Sequence, residues 1–327
     1  MYVNDLESQL SGEGAGITIL DVRFLLLLYA DDVVIFSETP QDLQLQMNKL
    51  YAYCHRWKLC INTNKSHILV FKKGNQPFIY KWYYGNDEIS ACQHMSYLGL
   101  VFSSNGKAVK TQATLAEQAN KATFQLHKII NKFKTLRPSV VFDLFDKLIT
   151  PILCYGCEVW GFHPSPAIER VHLSFSKRVM GVKKTSQNDF IYGILGRYPM
   201  QIIRHCRIIS YWLKIVSGRK PHYVNILYYA ALSRIRVNDK YNWALNVKQL
   251  LCSIGFGDVW YSQGVSDHTG FSCIIKQCLF DVYMQNWNAR LFESPRARFY
   301  RHVINQHGFH KQLDMILSKP HGIAFSR

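Results

Sequence analysis

Two apolar runs meet at an acidic pair. Phe24-Leu25-Leu26-Leu27-Leu28-Tyr29-Ala30 stops at Asp31-Asp32, and Val33-Val34-Ile35-Phe36 follows at once. Adjacent carboxylates cannot enter an apolar core without partners, so the chain must expose this point while burying its flanks. The β-forming residues on both sides predict two strands of a hairpin tipped by Ala30-Asp31-Asp32. The run is far too short to span a bilayer, and no membrane partner is expected. Such a tip can be an ordinary polar turn, because Asp bonds its local backbone. Two like charges side by side also repel unless a cation bridges them. Carboxylate oxygens are the ligands Mg²⁺ prefers, and phosphoryl or nucleotidyl transfer on two metals needs them held rigidly.

Charge extends the argument beyond the hairpin. Residues 1–60 carry 4 Lys+Arg against 8 Asp+Glu, a balance of −4. Residues 61–135, 136–220 and 221–327 carry +7, +8 and +6, for a net +17 over 327 residues. An acidic patch therefore opens a basic protein, a layout suited to a polyanion-binding body with a local cation site. Solubility charge explains the same numbers. At 48% hydrophobic the chain can bury a large core, which excludes disorder. Met1–Leu10 carries no Lys or Arg, so no signal peptide is visible. Nine scattered Cys fit a reducing compartment. A nuclear or cytoplasmic location is expected.

Several further elements can be placed. Met1–Leu6 reads as the middle of an amphipathic helix. Ile17–Tyr29 reads as the apolar run entering the hairpin, with Asp21 in its strand. Thr39-Pro40 is a cap and a first helical residue, predicting a helix over 40–57 with Leu43, Met47, Leu50, Tyr51, Cys54 and Trp57 at helical spacing. Leu59–Asn62 and Ile68–Phe71 read as a strand pair around Asn64-Lys65-Ser66, and Phe78–Ile89 as a hairpin turning at Gly85-Asn86-Asp87. Tyr97–Phe102 reads as one strand closed by Asn105-Gly106. Near residue 107 the pattern turns helical. Leu115, Ala119, Ala122, Leu126, Ile129, Ile130 and Phe133 form a stripe, Pro138 opens a helix, and Pro199 to Gly218 brackets another. From about 221 onward little can be placed.

The run Phe24–Ser37 resembles the Tyr-Ala-Asp-Asp motif of reverse transcriptases, most closely those of LINE-type, non-LTR retrotransposons. The resemblance continues through the helix bearing Tyr53–Trp57, through Leu59, Asn62, Asn64-Lys65-Ser66 and Phe71, and through Tyr97-Leu98-Gly99 with Gly106. Pro151-x-Leu153-x-Tyr155-Gly156-x-Glu158-x-Trp160-Gly161 and Leu195-Gly196-Arg197-Tyr198-Pro199 resemble segments usual downstream. The resemblance implies an α+β fold: a partial polymerase palm of antiparallel β-hairpins and helices over 1–106, a helical thumb over 107–220 and a basic, mostly helical extension over 221–327.

The same resemblance assigns roles. Asp31 and Asp32 would hold catalytic Mg²⁺ (or Mn²⁺), and Lys65 would face the triphosphate of a deoxynucleotide. Tyr29 and Ala30 would pass the primer end, and Tyr97, Leu98 and Gly99 would grip the primer strand. An ordinary solvated lysine remains open for Lys65, and a plain bulged strand for Tyr97-Leu98-Gly99. Lys121, Lys128, Lys132 and Lys134, with Arg137, would face the backbone of an RNA template and DNA primer. A solvated helix face explains them equally. Lys177, Arg178, Lys183 and Lys184 are the densest basic cluster. Arg204, Arg207 and Lys214 share one helix, and Arg296, Arg298, Arg301 and His302 accompany Phe299 and Tyr300.

One departure weighs against activity. The family's first metal-binding aspartate lies upstream of its acidic pair, and here only 30 residues precede Asp31. Neither Asp5 nor Asp21 matches it by position. The expectation is therefore a polymerase fragment inactive by itself, or a repurposed nucleic-acid-binding protein. Cys154-x-x-Cys157 is half of a zinc pattern without a second pair, so no zinc site is expected.

Overall fold

The structure is a computed structural model, and it describes residues 5–72, 79–133, 136–235, 242–298, 300, 307–310 and 312–315. It is α+β, mixing helices with small strand pairs. Contacts divide it into two units: Met1–Ala108 with Pro221–Arg236, and Val109–Lys220 with Val237–Arg327.

In the first unit, helix Leu6–Leu10 leads through a glycine-rich loop into two successive hairpins. Ile17–Ile19 pairs with Val22–Phe24, turning at Leu20 and Asp21. Both turn residues are left-handed, at φ 47 and 60, the pattern of a tight I′ hairpin turn. The single apolar run expected over 17–29 is thus broken. Asp21 sits in a turn and not in a strand, because Asp tolerates the left-handed region better than most side chains. Leu26–Tyr29 then pairs with Asp32–Ile35, with Tyr29 opposite Asp32. The tip is therefore Ala30-Asp31, and Asp32 opens the return strand.

Helix Pro40–Trp57 starts as its cap predicts: Thr39 Oγ1 accepts the Asp42 N–H at 3.1 Å. Its face of Leu50, Tyr53 and Cys54 packs with Leu6, Leu10 and Leu25, and against Leu26, Leu28 and Ile35 of the acidic hairpin. Met47 packs with Trp82 and Ile89. Tyr51 and Trp57, placed on the apolar stripe by spacing, are exposed.

Two strand expectations need correction. Residues 59–62 form no strand. A 3₁₀ turn, Thr63–Lys65, follows, with Asn62 Oδ1 accepting the Lys65 N–H at 3.2 Å. A short polar side chain that bonds its neighbours' backbone competes with a ladder. Ile68–Leu69 instead pairs in parallel with Ala91–Cys92. The segment read as one strand over 97–102 is a hairpin, His94–Tyr97 with Leu100–Ser103. It turns at Leu98 and Gly99, at φ 47 and 78. Trp82–Tyr84 and Asp87–Ile89 form the hairpin expected around Gly85-Asn86; Phe78 lies outside the described residues. Helix His222–Ser233 joins this unit, setting the Tyr223 ring edge-on to Phe24 at 5.5 Å.

The second unit is helical. Helix Val109–Lys132 buries Leu115, Ala116, Ala119, Thr123, Leu126 and His127. Ile129 and Phe133, placed on the stripe by near-heptad spacing, are exposed, because 3.6 residues per turn carry such a stripe off the contact face. Pro138–Leu148, Pro166–Val179 and Met200–Val216 complete the centre, where Phe145 and Phe175 lie 4.6 Å apart. Helices Trp243–Ser253 and His268–Glu293 lie in the stretch left unplaced by the sequence. Their caps were nevertheless written there: Asn242 and Asp267 accept the backbone N–H groups of Leu245 and Gly270. Among the described residues no helix is long and apolar enough to cross a membrane.

Candidate functional site

The acidic hairpin owes its two-sidedness to strand alternation. Leu26, Leu28 and Ile35 face the core, while Leu27 and Tyr29 are 44% and 62% exposed on the other side. Ala30, Asp31 and Asp32 are all exposed. Ala30 holds φ 53, a left-handed conformation that a residue with a Cβ adopts only at a cost. The anchored strands force that turn and hold both carboxylates out of the core.

Tyr97 belongs to the same locale. Burial, joined by the negative charge of Asp32, pushes its phenol above the ordinary value. The Asp32 charge at the acidic hairpin is therefore felt by Tyr97 of the second hairpin. Leu98 and Gly99 are exposed at the turn beside it, and the φ of Gly99 is accounted for by that turn. Lys65 is exposed on the 3₁₀ turn, and among the described residues it makes no ion pair with Asp31 or Asp32. Asp5 is engaged elsewhere, its Oδ1 accepting the Tyr53 hydroxyl at 2.6 Å. Among the described residues no group of three His, Cys, Asp or Glu side chains could hold a metal. Two carboxylates from one hairpin do not fit a two-metal clamp unaided.

The basic residues divide sharply. Lys121 pairs with Glu117 along its own helix at 2.9 Å, and Lys128 lies over Phe124 at 4.7 Å. Lys132, Lys183 and Lys184 are exposed; Lys134 lies outside the described residues. Lys177, counted with the surface cluster by sequence, is buried, donates to the Lys184 carbonyl at 2.9 Å and has its pKa lowered by burial. Arg204 is fully buried over Trp160, 3.9 Å from Glu169, and burial lowers its pKa. Arg207 donates to the Cys154 carbonyl at 3.1 Å. Tyr300 stacks on Phe190 at 4.3 Å, while Phe299, Arg301 and His302 lie outside the described residues. A one-dimensional charge count cannot tell these internal cations from surface ones.

What the sequence missed is the polar network that consumes them. Glu169 accepts from the Met200 and Gln201 N–H groups at 3.0 Å each and from Tyr192, capping helix Met200–Val216 from a neighbouring helix. Arg197 grips Asp146 through two N–H groups, and its Nε donates to His172 Nε2 at 2.8 Å. His172 is held neutral, first by burial and then by the Arg197 charge. Glu169, three residues after Pro166, and the Gly-Arg-Tyr-Pro preceding helix Met200–Val216 are the sequence signals of this network. Cys154 and Cys157 are buried, with the Cys157 thiol hydrogen-bonded to Cys154.

Residues 1–102 match the family model for reverse transcriptase (RNA-dependent DNA polymerase). An uncharacterized transposon-derived protein of Caenorhabditis elegans is 24% identical over 174 residues, 50% of this chain and 59% of that relative. The chain thus spans less than two thirds of the curated relative it matches. No solved structure matches.

Proposed function

We propose that this chain is part of an RNA-directed DNA polymerase of the non-LTR, LINE-type retrotransposon kind. In this reading 1–106 are palm, 107–220 thumb and 221–327 a basic extension. One arrangement carries it: a carboxylate pair exposed at the tip of a core-anchored hairpin, with Tyr97 of a second hairpin within reach of the Asp32 charge. Asp31 and Asp32 would hold Mg²⁺ or Mn²⁺, which supplies charge neutralisation at phosphate oxygens. Tyr29, Ala30, Tyr97, Leu98 and Gly99 would lie along the primer, and Lys65 near the incoming deoxynucleoside triphosphate. Lys121, Lys128, Lys132, Lys183 and Lys184 would contact phosphates of an RNA–DNA hybrid without reading sequence.

A second reading, a nucleic-acid-binding protein without polymerase activity, is favoured by the lack of a third metal-binding side chain among the described residues. One set of measurements separates the two. The chain is mixed with template–primer, deoxynucleotides and Mg²⁺, and expected to retain the hybrid, bind Mg²⁺ weakly and extend nothing. Measurable primer extension would overturn inactivity of this chain alone. Retention should weaken steeply as salt rises; indifference to salt would overturn the phosphate contacts.

A further inference from the structure

The Cys154-x-x-Cys157 spacing has no part in the proposed function, and the second unit gives it a defined setting. The chain turns there through Tyr155 and Gly156, and the Cys157 N–H donates to the Cys154 carbonyl at 3.3 Å. Gly156 takes φ 61, a left-handed conformation open to glycine at no steric cost. A four-residue turn closed in this way holds its first and last Cα atoms within about 7 Å. A disulfide spans Cα atoms about 4.4–6.8 Å apart, so the backbone is already set for one.

The side chains agree with the backbone. Both residues are fully buried free thiols, and the Cys157 thiol donates to the Cys154 sulfur. Tyr155 and Val159 are 49% and 62% exposed, so the turn lies at the surface with its sulfurs inside. The bond from Cys157 favours the thiolate of Cys154, and the charges of Arg207 and Arg204 favour it further. The same bond, with burial, keeps Cys157 protonated. Arg207 also donates to the Cys154 carbonyl at 3.1 Å, which fixes that cation beside the turn. An attacking sulfur and a second thiol are thus held in contact.

Burial decides the product. A sulfur oxidised here has one thiol against it, while bulky thiols are kept out, and contact of that kind favours reaction within the pair. Local opening of so short a turn admits a molecule as small as peroxide. We propose that Cys154 and Cys157 are a reversible oxidation site, which hydrogen peroxide converts to an internal disulfide. The Cys154 thiolate attacks a peroxide oxygen, the O–O bond breaks, and hydroxide leaves to take up the proton that Cys154 lost. Cys154 then carries a sulfenic acid. The Cys157 sulfur attacks the Cys154 sulfur, the S–O bond breaks, and the oxygen leaves as water with the Cys157 proton. In all, the two thiols give up two electrons, and one peroxide is reduced to two waters. A reducing compartment maintains the dithiol form. The site uses none of the residues assigned to polymerisation and stands whether or not the chain polymerises.

The test is mass spectrometry on the folded, reduced full chain, exposed to hydrogen peroxide and then denatured and alkylated. The expected product is a peptide in which Cys154 and Cys157 lack both thiol hydrogens, resist alkylation and are restored by dithiothreitol. The chain oxidised in denaturant should give less of it, with sulfinic acids and other pairings instead. In Cys157→Ser, dimedone should trap a sulfenic acid at Cys154; in Cys154→Ser, Cys157 should stay a thiol. Should a serine variant fail to fold, the alanine variant carries the same expectation, and the unmutated chain needs neither. Full alkylation of both residues after peroxide, pairing with other cysteines, or equal yield from the denatured chain overturns the site. Dimedone on Cys157 in folded Cys154→Ser overturns Cys154 as the attacking sulfur.

Discussion

The two units treat charge in opposite ways. In the first, the carboxylates that open the sequence argument, Asp31 and Asp32, stand exposed on a two-stranded hairpin. In the second, Lys177, Arg197, Arg204 and Arg207 turn inward to carbonyls, carboxylates, a histidine and aromatic rings. Each set is conspicuous as charge in the sequence, and only one is offered to a partner. The excess of basic residues therefore overstates the surface available to a polyanion. The helical unit draws on those cations to join its helices, while the strand unit anchors its acidic hairpin by apolar packing and leaves Asp31 and Asp32 for solvent or ligand.

The largest test of this contrast is Arg204→Ala. It removes a fully buried side chain packed over Trp160 and takes the neighbouring cation from the half-buried Glu169, and a loss of about 2–3 kcal/mol is expected in denaturant unfolding of the helical unit. A change near zero would mean that the cation is not part of the scaffold.

Acid should follow. His127, His172, His205 and His307 all have pKa values lowered, in each case first by burial. The fold thus favours their neutral form. Their contribution is complete above the unfolded value of about 6.5 and is lost as pH falls from there toward the lower folded values. Hydrogen exchange of helix Met200–Val216 should accelerate between neutral pH and about pH 5, after correction for intrinsic rates; unchanged protection would contradict the buried neutral histidines.

The strand unit answers to smaller changes. Ala30→Gly relieves the Cβ at φ 53 and should stabilise the unit by up to about 1 kcal/mol, less the entropy of glycine. A destabilised variant would show that the turn is not strained. Asp32→Asn should leave unfolding free energy within about 0.5 kcal/mol, as for other exposed sites. The same change should lower the Tyr97 phenol toward its ordinary value in an ultraviolet titration. A Tyr97 titration that does not move would separate the two hairpins that the candidate site brings together.

Local chemistry was legible where a residue acts on its own neighbours. Thr39-Pro40 announced its helix, Gly85-Asn86 its turn, and Pro138 and Pro199 the helices that follow them. The acid pair announced a hairpin tip because no core accepts two adjacent carboxylates. Legibility failed where φ and not polarity made the break. Leu20-Asp21 and Leu98-Gly99 bend within apolar surroundings, so each strand pair has the sequence pattern of a single strand. It failed again at Asn62, whose side chain serves a 3₁₀ turn instead of ending a ladder.

The sequence by itself determined the helices between about 107 and Gly218, the anchored hairpin and the exposure of Asp31 and Asp32, since these follow from spacing, caps and the cost of burying charge. Only the tertiary structure decided which cations stay outside, that Asp32 acts on Tyr97, and that the Cys154 and Cys157 thiols are buried together. Several of those outcomes depend on distant partners, 25 residues apart for Arg197 and His172 and 65 for Asp32 and Tyr97. Periodicity carries no record of which distant surfaces meet.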